Sequence, residues 1–396
     1  MKAYSIANPP CGIYNGDLPL GYAYYHTLLD IHSRFLRESK SLEVVCSKYS
    51  LNALGKRAEG LGLNGTIEDL DKYVIQWIKN STLRDKINLS FSGNVLDTSK
   101  PSVEQTKETF RKLYEKGYSF REGDTFYLDV KKIQRNFDLE GIAEQINFFS
   151  SRSKGEFIRI ITDTPKPIRI TKERIYSVAN PFGGEGISPI FGVSNLWEAY
   201  FNEGIDLMAT SEKELTRYVA LRFLSQVPIS DKVPMKSLFI YNYVNFDEDF
   251  DWQMNELVKD EVGSDSLRYS FAKGLSLGEQ RIELKKDMLK GARKLINRAE
   301  RLKSIFFEKG FRSENLQNIE DEDYAKMMES FKYQTVLSKL EVELKKISSE
   351  VETSKDKEDF VTKKDILFGR YLKVIRRLSP FCPSLSKRVI NQLSNK

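Results

Sequence analysis

The sequence predicts an α/β chain: a parallel β-sheet covered by helices, broken by a small insertion and followed by an α-helical bundle. Three observations predict it. The first 47 residues run strand, glycine-bearing turn, helix, strand, which is one βαβ unit. Short apolar runs without polar alternation, at 42–47 (LEVVCS) and 237–246 (SLFIYNYVNF), suit strands buried on both faces. After Gly263 the composition changes, and residues 265–393 hold Lys, Glu and Leu at helical spacing with almost no strand pattern.

The elements follow in order. Ala3 to Ile6 is a short apolar strand, and Asn8-Pro9-Pro10 ends it. From Leu20, the apolar residues Tyr24, Leu28, Ile31 and Phe35 recur on one helical face. A βαβ unit of this kind binds nucleotides at the carboxyl end of its first strand, so the domain is Rossmann-type. Residues 66–80 and 102–117 are amphipathic helices opened by capping boxes, Thr66 with Asp69 and Ser102 with Gln105. Gly117 stops the second. Residues 124–130 read as a strand, and 156–170 as two β-rich runs around a proline break. Residues 180–189 form a Gly/Pro-rich loop, with Gly183, Gly184 and Gly186 as a surface turn. Residues 214–227 are helical. The helical region holds four or five helices, and 348–359 is a charged exposed connection. The expected domains are 1–120 with 156–264, a connective insertion at 121–155, and the bundle at 265–396.

Composition excludes several classes. The chain has 396 residues, 62 basic and 56 acidic, for a net charge of +6. The three cysteines are far apart and form no C-x-x-C pair, which argues against a structural zinc site or a disulfide framework. His26 and His32 are the only histidines, so histidine chemistry must use one of them. No apolar run reaches membrane-span length, and the first residues lack a signal-peptide core, so a cytoplasmic protein is expected.

Asn15-Gly16-Asp17-Leu18-Pro19-Leu20-Gly21-Tyr22 resembles the first signature of class I aminoacyl-tRNA synthetases, most closely the Val/Ile/Leu/Met subgroup, whose pattern is Asn-Gly-x-Leu-His-x-Gly-His. Pro9-Pro10 resembles the proline pair before it, and Asp30 with Arg34-Phe35 resembles the Asp and Arg-Tyr of the following helix. Residues 51–59 (LNALGKRAE) resemble Trp-Asp-x-x-Gly-Leu-Pro-x-Glu. Residues 169–177 and 186–191 resemble a later signature loop, and GSDSLRYSF (263–271) resembles Gly-Ala-Asp-Ala-Leu-Arg-Tyr. Residues 295–302 and 378–389 resemble stretches of the anticodon-binding bundle. The order is collinear over nearly the whole chain. The resemblance implies ATP-dependent ligation of an amino acid to tRNA, with ATP and magnesium as cofactors only if activity is retained.

The departures fall on the chemistry. Pro19 and Tyr22 stand where the family has its two phosphate-contacting histidines. Proline offers no side-chain donor, and a tyrosine hydroxyl is neutral near pH 7. The second signature, Lys-Met-Ser-Lys-Ser, should fall near Asn245 and Asp247, yet no Lys or Arg lies between Lys236 and Lys259, and the loop is acidic. Losing one good electrostatic donor costs roughly 3 kcal/mol of transition-state stabilisation, so losing four should leave adenylation negligible. Asn52 replaces the aspartate that faces the substrate ammonium, keeping a hydrogen bond without the counter-charge. The span from Val130 to Ile168 is too short for an editing domain.

No residue is assigned a catalytic role. The resemblance places a nucleotide against Pro10, Asn15, Gly16, Gly21 and Tyr22; His26, four residues after Tyr22, shares its helix face, and the blander reading is an ordinary helix-surface or half-buried histidine. It places the amino-acid pocket at Asn52. RNA binding is expected at two basic clusters, Lys286, Lys290, Arg293, Lys294 and Arg298, and Lys373, Arg376 and Arg377, against the alternative of solvated faces balanced by acids. The leading expectation is a synthetase-like protein, impaired in adenylation, that binds tRNA. The alternatives are a divergent active synthetase or amino-acid-activating ligase, and a structural partner of a synthetase or translation protein.

Overall fold

The computed structural model describes residues 4–7, 20–40, 44–46, 100–172, 177–195, 205–230, 232–241, 243–246, 258–279, 281–311, 321–354 and 359–394. In chain order, β1 (Tyr4–Ala7) is followed by α1 (Leu20–Lys40) and β2 (Val44–Cys46). Next come α2 (Lys100–Glu115), β3 (Ser119–Glu122), β4 (Thr125–Leu128), α3 (Val130–Asn136), α4 (Leu139–Ala143), β5 (Asn147–Phe148), α5 (Ser151–Asp163), β6 (Ile168–Arg169) and α6 (Pro189–Asn195). Strand β7 (Ile205–Ser211) leads through a short π-helical stretch (Leu215–Ala220) into α7 (Leu221–Ser230), and then β8 (Met235–Tyr241). These elements, apart from α1, form one compact unit.

Its sheet is parallel throughout, in the order β2-β1-β7-β8-β5. Ile6 pairs with Cys46 on one side and Leu207 on the other. The expected β1–β2 pairing is present, and the apolar runs are buried as a two-faced parallel sheet requires: six of the seven residues of β7 are buried. Asp206 ties three strands together. It accepts from the Ser5 amide at 2.9 Å and the Ser5 hydroxyl at 3.0 Å on β1, and from Lys236 on β8.

A second sheet, β3-β4-β6, is antiparallel. Its buried Phe126 meets Phe110 of α2 at 5.2 Å between ring centres, and Phe110 meets Phe191 of α6 edge-on at 6.0 Å. Gly117 has φ +70°, and the Gly117 and Tyr118 amides close the end of α2 on the Tyr114 and Leu113 carbonyls, as the helix-stop reading expects.

Several local readings are corrected. Residues 156–163 are helix, not strand, because Phe157, Ile160 and Ile161 fall on one buried helical face and Ser150 caps the Ser153 amide. The strand expected over 124–130 stops at Leu128, since Asp129 caps α3. Residues 237–246 are two strands in different sheets. Helix α2 begins at Lys100, two residues before the expected Ser102 cap. The helix expected at 66–80 lies outside the described residues.

The glycine loop is a built turn. Gly183 and Gly184 have φ +74° and +80°, and the Glu185 amide donates to the Asp124 carbonyl at 3.0 Å. A Cβ on Gly184 would lie 2.8 Å from that carbonyl oxygen. Glu185 accepts from Thr125 at 3.1 Å and Thr171 at 3.2 Å, and pairs with Arg169.

The second unit holds α1, β9 (Tyr243–Phe246), α8 (Glu261–Gly274), β10 (Arg281–Leu284), α9 (Lys286–Glu308), α10 (Glu322–Glu329), α11 (Tyr333–Ser354), α12 (Asp359–Leu378) and α13 (Pro383–Ser394). Strand β10 pairs parallel with β9, inside the region expected to be all helix. Helix α11 runs to Ser354, so most of the expected connection at 348–359 is helical. In α9, Ala292, Leu295, Ile296, Ala299, Leu302 and Phe306 are buried, one face of a regular helix. Among the described residues, no helix is long and apolar enough to cross a membrane.

Gly184→Ala tests the glycine turn. A left-handed backbone and a backbone clash together should cost about 2 kcal/mol or more, read as a lower Tm in thermal melts, while Gly183→Ala, with open space around it, should cost less.

Candidate functional site

Helix α1 carries the first signature's carboxyl end. The sequence gives it one apolar face, and Tyr24, Leu28, Ile31 and Phe35 are all buried. The polar residues are buried as well: Thr27, Asp30 and Ser33 have no exposure, and His32 has 2%. Every residue from Ala23 to Ser33 is buried, so the helix is enclosed all round, which its polar residues could not have announced. Two contacts of this helix reach residues far along the chain. The Tyr333 hydroxyl donates to the Leu28 carbonyl at 3.4 Å, and the His32 ring stacks on Phe331 at 4.4 Å. His26 is 6% exposed with its ring 4.2 Å from that of Tyr25, so it is more enclosed than a helix-surface position.

The centre of this unit is ionic. Asp30 Oδ2 accepts from Arg34 Nε and from an Arg268 terminal nitrogen, each at 2.8 Å, and both Asp30 and Arg268 are fully buried. The Arg268 guanidinium also donates to the carbonyls of Pro380 at 2.7 Å and Phe381 at 3.2 Å. One turn earlier on α8, Asp265 accepts from the amides of Ser384 at 3.3 Å and Leu385 at 2.7 Å. Arg268 thus satisfies carbonyls in the turn between α12 and α13 while Asp265 caps the start of α13.

The electrostatics follow. Burial pushes the Asp30 carboxyl up, but the Arg268 and Arg34 guanidiniums outweigh it and hold it below the usual range. Burial dominates at Asp265, whose pKa rises to about 6 despite the Leu385 amide and Arg268. Burial raises the Cys382 thiol well above its ordinary value and leaves it unreactive.

The other expected site residues separate into three groups. Pro10, Asn15, Gly16, Pro19, Asn52 and Asp247 lie outside the described residues. Leu20, Gly21 and Tyr22 open α1; Leu20 is buried, Gly21 is exposed, and a Cβ on Gly21 would meet nothing within 4 Å. Asn245 is exposed on β9, paired with Glu283 of β10.

The two basic clusters are unequal. On α9, Lys286, Lys290, Arg293 and Lys294 are exposed and Arg298 half-buried. Lys290 pairs with Asp287, whereas Arg293, Lys294 and Arg298 form no ion pair among the described residues. On α12, Lys373 is exposed, Arg376 half-buried, and Arg377 bound to Asp321 at 2.7 Å and stacked over Tyr324. That arginine is committed inside the protein. Among the described residues no His/Cys/Asp/Glu group could hold a metal ion.

Three solved structures of Mycobacterium tuberculosis methionyl-tRNA synthetase resemble the chain over nearly its whole length. One, in complex with methionyl-adenylate, has a TM-score of 0.71 and 14% identity, covering 100% of this chain and 96% of its own. Another, also bound by methionyl-adenylate, has a TM-score of 0.74 and 13% identity, covering 99% and 96%. The apo form has a TM-score of 0.70 and 14% identity, covering 99% and 92%. The chain has the class I synthetase fold of these neighbours. No family model and no curated protein sequence matches it.

Among the described residues that keep the family pattern, Asp30, Asp265 and Arg268 are buried and Arg34 half-buried, while Gly21 is exposed. Asp30 and Arg34 come from the helix after the first signature, Asp265 and Arg268 from the Gly-x-Asp segment, and the structure joins the two segments through one shared carboxylate.

Two tests follow. Arg268→Ala leaves Asp30 buried beside a cavity and two carbonyls without a donor, so it should cost about 3–5 kcal/mol in a denaturant titration. The Asp265 carboxyl has a folded pKa of about 6 against an ordinary 3.8, so the folded chain holds its proton more tightly. Its contribution is fully present at low pH and is lost as pH rises to about 6. Wild-type Tm should therefore fall relative to Asp265→Asn across that window, and a pH-independent difference would refute it.

Proposed function

We propose that the chain is a synthetase-like protein of the Val/Ile/Leu/Met subgroup, impaired in aminoacyl-adenylate formation, that acts by binding tRNA. Its domains are a Rossmann-type part (1–120 and 156–264), a short connective insertion in place of an editing domain, and an anticodon-binding-like bundle (265–396). The observation that carries this reading is the division between what is kept and what is replaced. Asp30, Asp265 and Arg268 are buried and, with Arg34, bond helices to one another. The replaced positions, Pro19, Tyr22, Asn52 and the loop near Asp247, are those at which the resemblance requires charge on ATP or the amino acid. A scaffold kept without its phosphate-neutralising groups supports binding rather than adenylation.

The α9 cations supply the electrostatic part of tRNA binding. Arg293, Lys294 and Arg298 form no ion pair among the described residues, and so stay available for phosphate neutralisation.

ATP–pyrophosphate exchange with all twenty amino acids, beside an active synthetase, should give no signal above background. Clear exchange would establish the divergent-enzyme alternative, with ATP and magnesium as cofactors. Binding of a labelled tRNA should be measurable and fall steeply with salt. A chain that shows neither exchange nor tRNA binding would be a structural partner of another protein.

A further inference from the structure

The charges of α11 are segregated around its axis. On one shoulder, Glu341 accepts from Lys273 at 3.2 Å and from the Tyr269 hydroxyl, both on α8, and Glu352 pairs with Arg301 of α9 at 2.7 Å. On the other, Glu343 and Glu350 both receive Arg370 of α12, at 2.7 and 3.0 Å. At 3.6 residues per turn these shoulders lie about 180° apart, and the strip between them faces solvent. It carries Thr335, Lys339, Val342, Lys345, Lys346 and Ser349, all exposed. All four acids are taken by neighbouring helices. Lys339, Lys345 and Lys346 form no ion pair or hydrogen bond among the described residues.

We infer that this strip of α11 is a contact surface for the sugar–phosphate backbone of a bound RNA, engaged without base specificity. The inference rests on the RNA-binding reading above and adds a second face to it, distinct from α9. Charge complementarity selects the occupant: three unopposed ammonium groups and no acid on the strip. The chemistry selects a nucleic-acid backbone over an acidic protein. Protein hot spots are built on Trp, Tyr and Arg in desolvated pockets, and this strip has none, only Val342 at 51% exposure. Lysines and hydroxyls are backbone-contacting groups, and lysine acts as a point charge without the planar fork that reads guanine. Lys339 to Lys346 spans about 10 Å of helix, against one duplex charge per about 1.7 Å, so one strip meets several phosphates.

The test uses the intact chain and fluorescence anisotropy over a KCl series, with a labelled tRNA transcript and an unrelated RNA hairpin. The variants are Lys339→Gln/Lys345→Gln/Lys346→Gln on α11, the same three positions as Lys→Arg, and Arg293→Gln/Lys294→Gln/Arg298→Gln on α9. The α11 glutamine variant should weaken both RNAs about ten-fold or more near 0.1 M salt and reduce the salt slope by about 2–3, with the arginine variant restoring both. Unchanged affinity and slope in the α11 glutamine variant, while the α9 variant weakens binding, overturns the α11 surface and leaves the RNA reading standing. Failure of the wild type to bind either RNA overturns both. If the α11 glutamine variant loses binding to a labelled polyglutamate peptide but keeps RNA binding, the strip takes an acidic protein and the inference falls.

Discussion

A fully buried guanidinium must have acceptors in every direction it points, and Arg268 imposes that demand on the helical unit. Asp30 on α1 supplies the counter-charge, and the carbonyls of Pro380 and Phe381 supply the remaining acceptors. Three stretches of chain separated by more than a hundred residues must therefore meet at one point. Asp265, one turn away, makes the same kind of demand with opposite sign and is met by the amides that open α13. A hydrophobic core would tolerate small shifts of these helices against one another. Directional bonds to a buried charge add a geometric requirement at this point that apolar contacts lack.

The charge distribution outside that centre follows the same logic. The acids of α11 pair along the seams between helices with Lys273 of α8, Arg301 of α9 and Arg370 of α12. What remains toward solvent is mostly lysine. The net charge of +6 is modest, yet pairing places the α11 acids at the seams and leaves the solvent-facing strip of that helix basic.

Several elements were legible because their signal is local. The burial of Tyr24, Leu28, Ile31 and Phe35 on α1, the parallel pairing of β1 with β2, and the Gly117 helix stop follow from periodicity, β-branching and glycine's left-handed backbone. The misread segments share a different property. Residues 156–163 are β-branched, but Phe157, Ile160 and Ile161 had a core to bury against at helical spacing, and burial outweighs propensity. Ser102 carries the chemistry of a cap, yet α2 extends past it.

The candidate site divides along the same line. The sequence by itself determined the opening strand–helix–strand order, the resemblance of its motifs to the class I signatures, and the absence of histidine and lysine from the two signature positions, since these depend on local pattern or residue identity alone. Only the tertiary structure decided that Asp30, Arg34 and Arg268 form one buried cluster, that Arg370 and Arg377 are spent on Glu343, Glu350 and Asp321, and that Lys339, Lys345 and Lys346 are not. A charge in a sequence has no partner until folding brings one within about 4 Å, and over that distance its energy changes several-fold with burial.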